Sequence, residues 1–327
     1  MRVSATEPRE GTCHRTAQVH RRAFDRLRSA ISEDYSYRDL RGVDWGERFA
    51  KLGAGLCSSR TAIEFAEKAA VMLGPARDIH LWLRVKGQML PTHRRCVGRN
   101  VNLGLLPKVV PAWRQHNPVV ASGRFAGGIA YLCLRAWPPN APEQLQPAFR
   151  LVRRAAAQRL QLIIDVRANG GGAEPLAARF AGRFISRTVC YAKHLRRRHG
   201  RLVGPVARWL KPSAVRWRFQ GRVAVLVGPG TVSSCESFAM MMRQLPACKL
   251  IGQRTAGASG NPKPVALGNG VVLFMPTWWD MELDGACLEG RGLQPDVEVD
   301  AASGLAAGRD PVLETAVELL RRQPARR

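Results

Sequence analysis

The spacing of hydrophobic positions changes along the chain from a helical period to patterns typical of strands. Residues 16–73 place their apolar side chains at helical spacing, which predicts a helical first region. Within it, residues 61–73 are expected to form a separate helix. Ser59 or Thr61 is its expected cap, and the Gly-Pro pair directly after it is its expected end.

Residues 78–85, with the sequence DIHLWLRV, alternate between apolar and polar side chains. The apolar residues share one face, and His80 lies on the opposite face together with Trp82 and Arg84. Alternation of this kind predicts a half-buried strand. A histidine on the open face of a strand is either an ordinary structural side chain or a candidate for proton transfer.

Short apolar runs alternate with amphipathic segments from residue 128 onward. The predicted strands cover 128–134, 160–166, 223–228, 249–252 and 270–278, and the predicted helices cover 141–158, 174–185 and 311–322. The run at 160–166 is apolar almost throughout, as a strand covered on both faces requires. This order predicts an α/β core with right-handed crossovers.

The charge of the chain is strongly basic. Lys and Arg number 51 and Asp and Glu number 25, which gives a formal net charge of +26. Such a balance favours anionic partners. However, the arginines are scattered, and the densest cluster, residues 193–201, has neither an aromatic ladder nor a nucleic-acid motif. A solvated basic surface is therefore the favoured interpretation, and no specific nucleic-acid partner is expected.

The spacing of the cysteines and the hydropathy of the chain bear on where in the cell the protein is located. The eight cysteines are widely spaced without a C-x-x-C pair, which indicates reduced core thiols and neither a disulfide framework nor a zinc site. The first 20 residues lack the apolar centre of a secretory signal, and no stretch approaches a membrane span. We expect a cytoplasmic protein without a membrane span, unless an export segment is missing from this start.

Ser233 and Ser234 lie where the predicted strand 223–228 gives way to an apolar, Met-rich segment. A serine at such a turn lies at the positive end of the helix dipole, beside backbone N–H groups that can hold an oxyanion. The turn can therefore supply a nucleophile. Ser233 and Glu236 also fit the S-x-x-E capping box, and on this segment alone an ordinary helix cap is the favoured interpretation.

A run of three glycines, Gly170 to Gly172, follows the strand at 160–166 and precedes a predicted helix. Their N–H groups can approach an oxyanion or a phosphate. The segment matches neither the dinucleotide fingerprint nor the P-loop, so nucleotide binding is not expected. The alternative is an ordinary turn that uses the conformational freedom of glycine.

Four motifs follow one another in the second half of the chain. They are DVRANGGG at 165–172, SSCESFA at 233–239, RTAG at 254–257 and EGRGLQPD at 289–296. In this order they resemble the C-terminal processing, or tail-specific, serine peptidases and the related tricorn core protease. The segments at 30–45 and 78–80 are also similar to bacterial members, so the resemblance covers about residues 22–300. It implies a Clp-protease/crotonase-like α/β core with an N-terminal helical subdomain.

The resemblance implies a role for each residue of the turn and of the glycine loop. Ser233 matches the nucleophile that attacks a peptide carbonyl and forms an acyl-enzyme. The backbone N–H of Ser234 is one expected oxyanion donor. The glycine loop is expected to supply the second donor, from Gly171 first and Gly172 next.

The base differs from that of the tail-specific branch, which has a lysine directly after T-x-G. Ala258 stands at that position here. The tricorn-like branch uses a histidine and a late glutamate, which match His80 and Glu289. That branch also has a serine before the histidine, where this chain has Ile79.

The resemblance also implies a domain order. Tail-specific members carry a PDZ domain before the core, but only about 45 residues separate His80 from Phe125, too few for a module of ordinary size. We therefore predict a helical lead-in at 1–76 and a peptidase core without a PDZ domain at 77–327. Neither a cofactor nor a metal is expected, and a homo-oligomer is left open.

The prediction is a serine-type peptidase that acts on polypeptides or oligopeptides. One alternative is a catalytically inactive relative that binds a peptide or an acidic partner. It is motivated by Ala258, Ile79 and the charge of +26. A third hypothesis is acyl-thioester chemistry of the crotonase type, although S-x-x-E is not expected there.

Overall fold

The structure is a computed structural model that describes residues 10–95 and 98–322, except for the side chains of residues 10–15. Its helices are α1 (Glu10–Glu33), α2 (Trp45–Cys57), α3 (Ala62–Leu73), α4 (Leu106–Val109), α5 (Gln146–Ala157), α6 (Glu174–Ala181), α7 (Ser234–Arg243), α8 (Ala302–Ala306) and α9 (Pro311–Arg322). Its strands are β1 (Trp82–Val85), β2 (Gln88–Pro91), β3 (Arg114–Gln115), β4 (Val120–Phe125), β5 (Ile129–Leu134), β6 (Gln161–Asp165), β7 (Val189–Arg198), β8 (Arg201–Leu210), β9 (Val223–Val227), β10 (Cys248–Gly252), β11 (Pro262–Ala266), β12 (Val271–Pro276), β13 (Trp279–Met281) and β14 (Val297–Glu298).

The described residues divide into two compact units, each built from three separate stretches of chain. The first unit contains residues 10–95, 195–205 and 260–279, and the second contains residues 98–194, 206–259 and 280–322. The predicted division at residues 76 and 77 stays a prediction.

The first unit combines α1, α2 and α3 with an antiparallel sheet of order β11-β12-β1-β2. Two of its helices begin at capping side chains. Asp44 accepts a hydrogen bond from the Glu47 N–H at 2.9 Å, and Thr61 accepts one from the Glu64 N–H at 3.1 Å. Each of these bonds satisfies a backbone donor that a helix start leaves open. Thr61 is therefore the cap of α3, as one of the two sequence alternatives predicted.

The strand predicted over residues 78–85 begins only at Trp82. The Asp78 carboxylate accepts the backbone N–H of His80 at 2.7 Å, and the Asp78 carbonyl accepts the N–H of Leu81 at 3.2 Å. These local bonds occupy donors that a strand ladder would need. His80 therefore lies in a turn before β1, which corrects its predicted place within the strand.

The second unit contains a seven-stranded sheet of order β14-β10-β9-β6-β5-β4-β3. The pairs from β14 to β5 are parallel, and β4 and β3 are antiparallel. Buried side chains of α5, α6 and α7 belong to one hydrophobic cluster and those of α9 to another. Helices therefore cover both faces of the sheet, which explains why β5, β6 and β9 are buried throughout. The predicted α/β core is confirmed.

The basic stretch at 193–201 forms the tip of a hairpin that the sequence analysis did not predict. It joins β7 to β8 through His199 and Gly200, which both have positive φ. A third sheet has the order β13-β7-β8. Charged side chains at exposed positions hide the strand pattern here, because many residues of both strands are not buried.

Cysteine and membrane expectations can be compared with the described residues. The cysteines with described side chains are free thiols, at positions 57, 133, 190, 235, 248 and 287. The side chain of Cys13 and the whole of Cys96 lie outside the described residues. Residues 1–9, which belong to the segment predicted to lack a secretory signal, also lie outside them. Among the helices of the described ranges, none has the length and apolarity needed to cross a bilayer.

Candidate active site

Ser233 has an unusual backbone conformation at the start of α7. Its φ is 58° and its ψ is −126°, whereas an ordinary N-cap residue lies in the β region. A non-glycine residue in such a sparsely populated region costs about 1–3 kcal/mol and persists only when its surroundings enforce it. The capping-box partner is also in place, because Glu236 Oε2 accepts the Ser233 N–H at 3.2 Å. The turn thus combines a helix cap with a strained serine.

Two neighbouring loops hold the strained turn. The Ser233 N–H also donates to the carbonyl of Ala258 at 3.0 Å. On the other side, the Val232 N–H donates to the carbonyl of Asn169 at 3.1 Å. The backbone of Ser233 is therefore fixed between the glycine loop and the loop at 255–259.

Gly171 allows the glycine loop to approach the serine closely. Its φ is 98°, and a Cβ atom at this position would lie 2.9 Å from the Cβ of Ser233 and 3.2 Å from the backbone nitrogen of Ser234. At Gly172 a Cβ would lie 2.0 Å from the carbonyl oxygen of Trp137. Side chains are thus excluded at both positions, whereas at Gly170 nothing lies within 4 Å of an added Cβ.

The backbone N–H groups near Ser233 differ in whether they already donate a hydrogen bond within the protein. Gly171 donates to Asn169 Oδ1 at 2.9 Å. Trp137 and Gly172 form an isolated parallel β-bridge, in which the Trp137 N–H donates to the Gly171 carbonyl and the Ala173 N–H donates to the Trp137 carbonyl. The Gly172 N–H takes no part in this pairing. Ser234 is the first residue of α7, where a helix has no internal acceptor for the N–H.

Glu236 lies in the first turn of α7, is fully buried and binds several groups of the loop at 255–259. Its carboxylate accepts hydrogen bonds from the Thr255 hydroxyl at 2.5 Å, from the Gly257 N–H at 2.7 Å and from the Ala258 N–H at 2.9 Å. Burial raises the pKa of Glu236 to about 7, although these donors favour the charged form. The carboxylate therefore organises the loop as well as the helix start.

Glu289 belongs to the same network of loops. It is 7% exposed, and its Oε2 atom accepts the Ser259 N–H at 2.8 Å. The neighbouring Gly290 N–H donates to the carbonyl of Gly257 at 2.7 Å. Ala258, at the position of the lysine in the tail-specific branch, is 1% exposed, and its carbonyl accepts the Ser233 N–H. The second unit thus brings together Ser233, Ser234, Gly171, Gly172 and Glu289.

His80 lies in the first unit, directly before β1, and is half-buried. Its Nδ1 atom is buried and has no hydrogen-bond partner within the described ranges. Burial lowers the pKa of His80 to about 4, because the charged imidazolium loses solvation. The ring is therefore neutral at pH 7 and able to accept a proton.

Asp78 fixes the backbone at His80. The carboxylate binds the His80 N–H and also accepts a hydrogen bond from the Tyr35 hydroxyl at 2.9 Å. Burial raises the pKa of Asp78 to about 6. The sequence analysis named Asp78 only as part of the segment at 78–80 and gave it no role, although an aspartate commonly accepts the backbone N–H two residues on in an Asx turn.

The sequence model of peptidase family S41 matches residues 128–299, more than half of the chain. The protein belongs to peptidase family S41. The matched range contains the glycine loop, the turn at Ser233, the loop at 255–259 and Glu289, whereas His80 lies before it. As an S41 member, the chain is a serine peptidase.

Solved structures with the same fold accompany the family match. A candidate peptidase from Parabacteroides merdae has a TM-score of 0.76 and 24% identity, over 92% of this chain and 96% of the other. Mature CPAF has a TM-score of 0.70 and 12% identity, over 94% and 97%. The photosystem II D1 C-terminal processing protease has a TM-score of 0.56 and 14% identity, over 92% and 97%. No individually curated protein matches the chain in sequence. These likenesses confirm the predicted fold of this S41 chain.

A buried charged network of the S41 core lies close to the glycine loop and was missed by the sequence analysis. Arg208 donates to Asp280 at 2.5 Å, to Ser237 at 3.0 Å and to Glu174. Glu174 begins α6 directly after the glycine loop, and Ser237 lies one turn beyond Ser233. The Tyr191 hydroxyl also donates to Glu174, at 2.5 Å. The guanidinium therefore ties the starts of α6 and α7 together.

Proposed function

We propose that this S41 peptidase hydrolyses peptide bonds in polypeptides or oligopeptides through an acyl-enzyme on Ser233. The observation that carries the proposal is the strained backbone of Ser233, held with Gly171 and the N–H of Ser234 beside it. Strain of this size is maintained where it serves to present a side chain. A plain helix cap does not need it.

In the proposed reaction, the Ser233 hydroxyl oxygen attacks the peptide carbonyl while His80 takes the hydroxyl proton. The oxyanion is held by the Ser234 N–H and by the glycine loop. Gly172 is the more available donor of that loop, since the Gly171 N–H is bound to Asn169. The C–N bond then breaks as His80 gives its proton to the departing amine, and water hydrolyses the resulting ester.

We assign Glu289 the task of stabilising the imidazolium during this transfer. It is a buried carboxylate on the loop network that also fixes Ser233. His80 is the proposed base because it is neutral at pH 7 and Ala258 offers no amine. We also propose that the enzyme works in the cytoplasm, which its free thiols support.

The alternative is an S41 relative without turnover that binds a peptide or an acidic partner. Ile79 and Ala258 favour it, since both replace polar residues of the two family branches. The net charge of +26 also favours an acidic partner.

The two functions are separated by a fluorophosphonate probe and by hydrolysis of an unfolded protein such as casein. We expect labelling and turnover in the wild type and in Ser234→Ala, because Ser234 contributes only its backbone. Ser233→Ala should lose both, and His80→Gln should lose turnover. A wild type that neither reacts with the probe nor cleaves casein would overturn the peptidase proposal and support the binding alternative.

A further inference from the structure

The antiparallel sheet of the first unit carries a row of rings across all four strands. In the strand register Pro264 is opposite Phe274, Phe274 is opposite Trp82, and Trp82 is opposite Pro91. Directly opposite residues point to the same face of a sheet. The rings of Trp82 and Phe274 are stacked with their centroids 3.7 Å apart and their planes at 6°. We call Pro264, Phe274, Trp82, Pro91 and the neighbouring Arg84 the aromatic face.

The opposite side of the sheet forms the core of the unit. Leu83 and Leu273 are opposite each other in the register, and both are completely buried. By contrast, Trp82 and Phe274 are only half-buried, and Arg84 is exposed. A stacked aromatic pair on the open side of a sheet is therefore not needed for the core, and exposed apolar patches of this kind often mark binding sites.

The charged residues of this sheet are all basic. Residues 82–91 and 262–276, all of them described, contain no Asp or Glu, but they contain Arg84, Lys86 and Lys263. The Arg84 guanidinium lies 5.1 Å from the centre of the Phe274 ring. A cation next to an open aromatic surface favours a partner that offers both a ring and a carboxylate.

The edge of the sheet at β11 is a poor place for an added strand. Pro262 and Pro264 both lie in β11, and proline has no backbone N–H for a ladder. A peptide is therefore expected to lie across the face, where its rings can pack on Trp82 and Phe274. Extended or polyproline segments dock on aromatic surfaces in this way.

We propose that the aromatic face binds an acidic, extended segment of the polypeptide substrate. A proline or aromatic ring of that segment packs on Trp82 and Phe274, and a carboxylate pairs with Arg84. That this segment belongs to a substrate rests on the proposed peptidase function. Trp82 follows His80 by two residues in the same unit, so the face adjoins the proposed base.

Binding is measured on full-length Ser233→Ala, so that turnover does not consume the probe. The probe is a fluorescein-labelled peptide of Pro, Phe, Asp and Glu, and its matched control replaces Asp and Glu with Asn and Gln. We expect the acidic peptide to bind about fivefold more tightly at low salt, with the difference reduced at high salt. Arg84→Gln should remove this preference, and Phe274→Leu should weaken both peptides about three- to tenfold.

Lys51→Gln is the matched control, because it removes one positive charge from α2 on an exposed residue outside the sheet. It should leave both affinities unchanged, and circular dichroism should confirm that every variant is folded. Equal binding of the two peptides, or affinities that do not change in Arg84→Gln and Phe274→Leu, would overturn the inference. Casein hydrolysis by the wild type reports on the peptidase proposal separately: selective binding without turnover refutes that proposal and leaves the aromatic face as a binding site.

Discussion

At the scale of single residues, the backbone of Ser233 is more informative than its side chain. A serine followed three residues later by a glutamate is a common helix start, and this segment taken alone favours that interpretation. The φ of 58° supports the proposed role of Ser233 as a nucleophile, because a cap alone has no need of a strained conformation. Since φ depends on the surrounding loops, local sequence cannot predict it.

The strain at Ser233 predicts a difference between two inactive variants. Ser233→Gly removes the steric penalty of the positive φ, whereas Ser233→Ala keeps it. We expect the glycine variant to be more stable than the alanine variant by about 1 kcal/mol in urea unfolding. An alanine variant that equals or exceeds the glycine variant would contradict the strain.

The low pKa of His80 predicts the acid limb of the pH profile. The imidazole is neutral in the folded enzyme above about pH 4, whereas the unfolded chain has the ordinary value of 6.5. The kcat/KM should therefore fall through an apparent pKa near 4 instead of near 6.5. Below pH 6.5 the unfolded state binds the proton first, so this group lowers stability as the pH falls towards 4.

Circular dichroism at each pH separates loss of catalysis from unfolding. If the acid limb lies near pH 6–7 while the protein stays folded, the buried imidazole of His80 does not set it. Asp78 or Glu236, whose pKa values burial raises to about 6 and about 7, would then be the titrating group.

At the scale of elements, the prediction succeeded where burial dominates. The final helix has the predicted bounds, Pro311–Arg322, because its apolar stripe faces one side of the sheet. The strands β5, β6 and β9 were predicted from their apolar runs for the same reason. The hairpin of β7 and β8 was missed because β8 is mostly exposed and the buried positions of β7 do not alternate regularly, so their pattern carries little information.

The glycine loop offers a test with a neighbouring control. Gly171→Ala would place a methyl group 2.9 Å from the Ser233 Cβ at a φ of 98°. We expect kcat to fall at least about tenfold, because the methyl group displaces Ser233 from the oxyanion donors beside it; complete loss of one such donor costs about 10²–10³ in kcat. Gly170→Ala meets nothing within 4 Å and should retain activity. Equal activities of the two variants would remove the loop from the proposed site.

At the scale of the whole molecule, a buried ion network joins the central sheet to the last helix. Arg167 donates to Asp165 at the end of β6 and to Asp310 before α9, with distances from 2.6 to 3.0 Å. All three side chains are at most 2% exposed. The sequence analysis did not identify Asp310, which lies 143 positions after Arg167, as a partner of this segment.

Removing the cation from this network should destabilise the entire second unit. Arg167→Met leaves two buried carboxylates without their partner, which costs about 3–5 kcal/mol in the free energy of unfolding. Arg309→Gln is the control, because Arg309 pairs with Glu314 at the surface and is 67% exposed. It should leave the urea midpoint almost unchanged, because solvent-exposed ion pairs contribute little to stability. Similar urea midpoints for the two variants would contradict the structural role of Arg167.

The ordered motifs predicted the family and the neighbourhood of Ser233, because their spacing reflects chemistry that the fold must preserve. Which stretches of the chain form each of the two units could not be predicted. Residues 195–205 and 260–279 join the first unit from distant parts of the chain. Such long-range association depends on packing that a single sequence does not display.

The carboxylate of Glu236 has a consequence for how the site opens. The amide protons of Ser233, Gly257 and Ala258 all point to this one side chain. None of them can reach solvent while the glutamate stays in place, so all three should be released by a single local opening. Hydrogen exchange would then follow the turn at Ser233 and the loop at 255–259 as one cooperative unit, with a common protection factor for amides more than 20 positions apart in the chain.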